Sequence, residues 1–158
     1  MGCGPLAGPH EVKRSQRPAV VAVLLALALL LAGCGVVSRP GPAAWDDRAA
    51  QALTDAGSEV ATARLALESA RKGRTWSSYT TVLLAEAEEA AGKVEEDLSR
   101  LQVPAGRADA AAHVLDLLGR AVDLVGEARA HAVSGKYDDQ ALLDQLDRLS
   151  DELQQAAP

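Results

Sequence analysis

Residues 114–132 read VLDLLGRAVDLVGEARAHA. Val114, Leu118, Ala121, Val125, Ala128 and Ala132 recur every three or four positions, the spacing that gathers apolar side chains on one face of a helix. Three other segments repeat the pattern. The first carries Leu53, Ala56, Val60, Ala63, Leu67 and Ala70. The second carries Leu83, Ala87, Ala90, Val94, Leu98 and Leu101, with one extra residue before Leu98 that slips the seam. The last carries Leu142, Leu146, Leu149, Leu153 and Ala156. Nothing in this part of the chain alternates with the period of two that a half-buried strand requires.

Turn chemistry separates the four segments. Gly73 after Lys72 and Gly135 after Ser134 suit the residue just past a helix end, where a left-handed backbone is needed. Pro104 stands between the second and third segments at a position read as a helix start, and Asp138 or Asp139 can cap the fourth. Connections this short make neighbouring helices antiparallel. The expected fold is all-α: an up-down-up-down four-helix bundle of three long helices and a shorter C-terminal one. Its seams are mostly alanine with leucine and valine, and the chain has no Phe. Small seam residues allow close axes and leave no room for a large cofactor, so none is expected. Gln140, Gln145, Gln154 and Gln155 make the fourth helix the one expected to dock most loosely.

Upstream of the bundle the character changes. Lys13, Arg14 and Arg17 precede an unbroken apolar run from Ala19 to Ala32, which ends in Leu31, Ala32, Gly33 and Cys34. A basic segment followed by an apolar one is the layout of an export signal. The last four residues resemble the lipobox of bacterial lipoproteins at every position. That resemblance implies cleavage between Gly33 and Cys34 and a diacylglyceryl group, palmitate among its acyl chains, on Cys34. Two acyl chains hold a protein on a bilayer far more firmly than one. The competing reading is an uncleaved span, opposed by Gly33 and Gly35, which weaken a helix there. No adjacent arginine pair precedes the apolar run, which favours ordinary secretion over twin-arginine export. Residues 35–43, GVVSRPGPA, read as a tether, with Pro40 and Pro42 preventing regular helix. The expected divisions are a signal peptide over 1–33, a lipidated cysteine and tether over 34–43, and a bundle domain over 44–158. In helix pattern and composition the bundle also loosely resembles small lipoproteins of actinobacteria, a likeness that brings no activity with it.

Composition then excludes several functions. Cys3 and Cys34 are the only cysteines, so the mature chain can build neither a disulfide framework nor a thiolate metal cluster. From Cys34 onward there are 13 Lys plus Arg and 21 Asp plus Glu, a formal charge of −8. That balance disfavours nucleic acid and broad adhesion to anionic lipid or wall polymer. No G-x-S-x-G, H-E-x-x-H, phosphate-binding glycine loop or C-x-x-C is present, and no enzyme activity is expected.

His113 follows Asp109 by four residues and His131 follows Glu127 by four, so each acid–His pair shares a helical face. The two histidines cannot share one metal, being separated by about 27 Å of helix, and no metal site is assigned. Glu89 to Lys93, Glu96 to Arg100 and Asp144 to Arg148 are spaced as i,i+4 ion pairs, which mark a solvated face rather than a calcium site.

One grouping stands out. In an up-down-up-down bundle the end of the first helix, the start of the second, the end of the third and the start of the fourth meet at one tip. There the sequence places Arg71, Lys72, Arg74, Trp76, Tyr79, His131, Lys136 and Tyr137. Aromatic and arginine side chains favour interface hot spots, which suggests a contact surface for an acidic or carbohydrate partner. Trp76, Tyr79 and Leu83 also follow the seam spacing, so the rings could equally plug the end of the core. The resulting expectation is a lipid-anchored module on the extracytoplasmic face of the cell membrane, contacting an envelope protein or polymer without catalysing a reaction. The alternative is a lipoprotein that binds a metal or small ligand.

Overall fold

Where the helices stop is decided by the turn residues. The computed structural model describes residues 41–157, in which four helices follow one another: α1 (Pro42–Arg71), α2 (Ser77–Ser99), α3 (Ala108–Val133) and α4 (Gln140–Ala156). No strand occurs among the described residues. The proposed signal peptide, Cys34 and tether residues 35–40 lie outside them.

Gly73, at φ +65°, donates to Ala70 O at 2.9 Å, and Arg74 N donates to Ser69 O at 2.9 Å. Gly135, at φ +68°, repeats the arrangement with Ala132 O, and Lys136 N with His131 O. Both are Schellman closures, in which backbone groups alone satisfy the last carbonyls of a helix. Asp139 caps α4 by accepting from Leu142 N at 3.1 Å. Two boundaries differ from the sequence expectation. Pro42 does not break helix but opens α1, because its fixed φ suits a first helical position, so the bundle begins inside the expected tether. Pro104 does not start a helix; it lies in a loop with Gly106 at φ +79°, and α3 begins at Ala108.

Contacts between side chains set the directions. Gly57 of α1 faces Leu153 of α4, and Arg64 pairs with Asp147, so these helices run antiparallel. Glu95 lies over Gly119 and Glu88 over Gly126, with Glu88 also pairing with Arg129, which makes α2 and α3 antiparallel too. Asp46 near the start of α1 receives two hydrogen bonds from Arg107 at the start of α3, at 2.8 and 2.6 Å. The result is an antiparallel four-helix bundle in which α1 packs against all three partners, while α2 and α4 do not meet.

The core is built from alanine and leucine, with Ala63, Ala121, Val125 and Ala128 fully buried. α2 departs from its expected seam. Thr80, Leu84, Ala87, Ala91 and Leu98 are buried, whereas Leu83, Ala90, Val94 and Leu101 are half-buried. The face has turned by one residue over part of its length. Leu83 and Leu84, like Ala90 and Ala91, are identical neighbours, so spacing alone offers two adjacent faces. α4 is not loosely seated: Leu142, Leu143, Leu146, Leu149 and Leu153 are all buried, and its glutamines lie on the opposite side. Trp45 closes the core at the end where α1 begins, only 3% exposed.

Surface pairing follows helical spacing, with changes of partner. Arg100 pairs with Glu96 as expected. Lys93 turns to Asp97 at 2.8 Å instead of Glu89, acids standing one turn away on both sides. Asp144 accepts from Gln140 at 2.8 Å rather than pairing with Arg148.

Two measurements check this core. Leu84→Ala should lower the unfolding free energy by about 2–5 kcal/mol in urea titration, and Leu83→Ala by clearly less; the reverse order would restore the expected seam. Burial, with Asp55 one turn away, pushes the Glu59 carboxyl above the usual carboxylate range. A raised folded pKa gives stability at low pH that is lost as pH rises through it. Glu59→Gln should therefore stabilise at neutral pH, the gain fading as pH falls through the carboxylate range.

Candidate functional site: the exposed aromatic and basic tip

Because α1 and α3 both end where α2 and α4 both begin, the residues grouped by sequence reasoning do share one end of the bundle. They do not share one role. Tyr137 is half-buried against the core, and its hydroxyl donates to Ala132 O at 3.3 Å. Tyr137 is the aromatic that plugs this end. Trp76 and Tyr79 are not: they are 85% and 59% exposed. The inward position on the first turns of α2 belongs to Thr80, which is buried, donates to Trp76 O at 3.1 Å, and lies 3.0 Å from the Thr75 hydroxyl. Reading Trp76, Tyr79 and Leu83 as a core stripe is thus one register away from the packing observed.

Trp76 occupies the N-cap of α2 with extended backbone, φ −80° and ψ 146°, and its side chain makes no capping hydrogen bond. Ser, Thr, Asp and Asn normally hold that position because a side-chain oxygen can accept from the first free N–H groups. An exposed indole neither caps nor packs. Two further apolar residues that sequence reasoning passed over extend the surface. Val82, 56% exposed, lies one turn beyond Tyr79, and Val133 is exposed at the end of α3. Each stands next to a seam position, Leu83 or Ala132, and the seam pattern gives neither a role.

The cations divide as well. Lys72 bonds to Glu68, whose carboxyl is held below the usual range first by that hydrogen bond and then by the lysine charge. Arg71, Arg74 and Lys136 make no ion pair among the described residues. Residues 69–85 contain Arg71, Lys72 and Arg74 and no acid, which makes this stretch locally basic within an acidic bundle.

His131 lies between two carboxylates, with Nε2 4.0 Å from Glu127 and Nδ1 3.7 Å from Asp139. The second carboxylate arrives across the α3–α4 turn and was not foreseen. His113 is exposed on the first half of α3. Among the described residues no group of three His, Cys, Asp or Glu side chains is placed to hold a metal.

Two open clefts lie elsewhere. One, of about 360 Å³, runs between α3 and α4 beside Arg120, Leu124, Arg148 and Glu152, where Arg120 and Glu152 pair at 2.6 Å. The other lies along α1 beside Thr54, Gly57, Ser58 and Gln154. Neither includes Arg71, Arg74, Trp76 or Tyr79.

Replacing the indole with a capping side chain separates its roles. Trp76→Asp should raise the unfolding free energy by about 1 kcal/mol through a restored N-cap; a loss of stability would show that the ring packs after all. Comparison with protein-family profiles, curated proteins and solved structures finds no match to this chain.

Proposed function

We propose that this protein is a lipid-anchored module of the cell envelope that works by contact rather than catalysis. Cys34, in a lipobox-like setting, would fix the chain to the extracytoplasmic face of the membrane. The described residues contain no helix long and apolar enough to cross a bilayer. The bundle then serves as a stalk. α1 has 30 residues, which carries its far end about 45 Å from its start. The contact surface is the distal α1–α2 loop with the first turns of α2.

One observation carries this reading. Trp76 is exposed at a position where a smaller polar residue would stabilise the helix, and a local rule broken without structural compensation points to a functional demand. Arg71 and Arg74 precede Trp76 at the end of α1 and in the following loop, and Tyr79 and Val82 follow it on the first turns of α2. Aromatic and arginine side chains supply large contact area and directed hydrogen bonds, the features of interface hot spots.

Mass spectrometry of protein extracted from its own membranes should find the chain starting at a diacylglyceryl-modified Cys34. An intact leader with a free thiol would remove the anchor from the proposal. A photo-crosslinking residue at position 76 should yield a discrete adduct in living cells, whereas one at Gln51, on the outer face of α1, should not. Equal labelling from both positions would remove the contact surface.

A further inference from the structure

The chemistry of the tip narrows its partner. We infer that the α1–α2 loop docks an acidic, amphipathic segment of another protein, an inference that rests on the contact-surface reading above. Three observations select that occupant. The first is charge. Arg71 and Arg74 have no carboxylate partner among the described residues, and no acid occurs between Ser69 and Ala85. Guanidinium groups without partners at an exposed loop recruit carboxylates in forked geometry.

The second is the aliphatic component. Val82 and Val133 are 56% and 63% exposed. The register that sets Glu88 against Gly126 places Val133 level with the first turns of α2. A glycan would meet Trp76 and Tyr79 through sugar faces, but its hydroxyl-rich surface buries less apolar area against two valines than leucine side chains do. A protein segment with leucines on one side and acids on the other matches both kinds of residue, since buried apolar area and paired charge reinforce each other at a rim.

The third is the rest of the molecule. A bilayer surface rich in anionic lipid would attract the loop, but it would repel a body carrying 21 acids from Cys34 onward. A segment small enough to engage the loop alone escapes that repulsion. Such a contact needs no cleft at the tip, because the partner can supply the concave side.

Net charge and local charge predict opposite outcomes, which makes the test sharp. Purified full-length protein in neutral detergent is titrated against two labelled helical peptides with the same leucine pattern, one carrying Glu and one Lys at every polar position. Net charge alone favours the lysine peptide. The inference requires the glutamate peptide to bind at least about tenfold more tightly, with affinity falling as salt shortens the screening length. Arg71→Ala with Arg74→Ala should remove most of that preference while leaving the urea midpoint unchanged. Equal affinities, a preference for the lysine peptide, or tighter binding of polygalacturonate or anionic vesicles would overturn it. If position 76 still crosslinks in cells while the glutamate peptide fails, the partner chemistry is wrong and the contact surface stands. If position 76 does not crosslink selectively, the contact surface itself falls.

Discussion

Close approach of α1 to its three neighbours is the constraint on which the bundle depends. Its buried face consists largely of Ala49, Ala52, Ala56, Gly57, Ala63 and Ala66, interrupted by Leu53, Val60 and Leu67. Side chains this small let backbones come near, and the larger residues of the partners fill the space between. Gly57 illustrates the fit: an added Cβ there would lie 3.8 Å from Leu153 Cβ, in ordinary contact. With α1 against α2, α3 and α4 at once, and α2 and α4 out of contact, the arrangement is a three-helix core to which α4 adds five leucines from one side. Alanine buries little area per residue, so the leucines of α4 contribute a large share of the apolar burial. A helix that looks polar in sequence is for that reason integral to the fold.

The helices and their ends were largely legible in the sequence. Gly73, Gly135 and Asp139 do what their residue types dictate, because a left-handed helix end and an N-cap are local requirements that a single residue meets. Burial within a helix is a different kind of question. On α2 two adjacent faces have nearly equal apolar content, with Leu83 beside Leu84 and Ala90 beside Ala91. The choice between them is made by α1 and α3, not by α2. Apolar spacing pointed to the face of Leu83, on which Trp76 and Tyr79 also fall, whereas packing selects Thr80 and Leu84. Trp45, the one aromatic that is buried, was passed over because it lies only two residues past the expected tether, before the first seam residue Leu53.

The candidate site was legible in membership but not in division of labour. Position in an up-down-up-down topology is enough to bring four helix ends together. It does not say that Tyr137 turns inward to the Ala132 carbonyl while Trp76 turns outward. That difference has a local cause. Tyr137 lies just past a Schellman turn that folds the chain back over the end of the core. Trp76 precedes a helix whose first inward-facing residue is Thr80, with three residues between them that have no core to cover.

The two ends of the bundle are built by opposite means, and this bears on why one of them could serve recognition. At the end where α1 begins, side chains hold the structure: Trp45 is buried, and Arg107 reaches across to Asp46 with a forked pair of hydrogen bonds that raises the arginine above its ordinary range. At the opposite end the α1–α2 and α3–α4 reversals are closed by backbone hydrogen bonds around Gly73 and Gly135. Arg71, Arg74, Trp76 and Tyr79 are not required to make the turn, and their side chains are left to face outward. A surface whose geometry is fixed by main chain and glycine can change its side chains without unfolding the domain, the condition under which loops carried by a rigid scaffold acquire binding roles. The uncapped start of α2 costs about 1 kcal/mol of helix stability, a loss the five leucines of α4 readily offset.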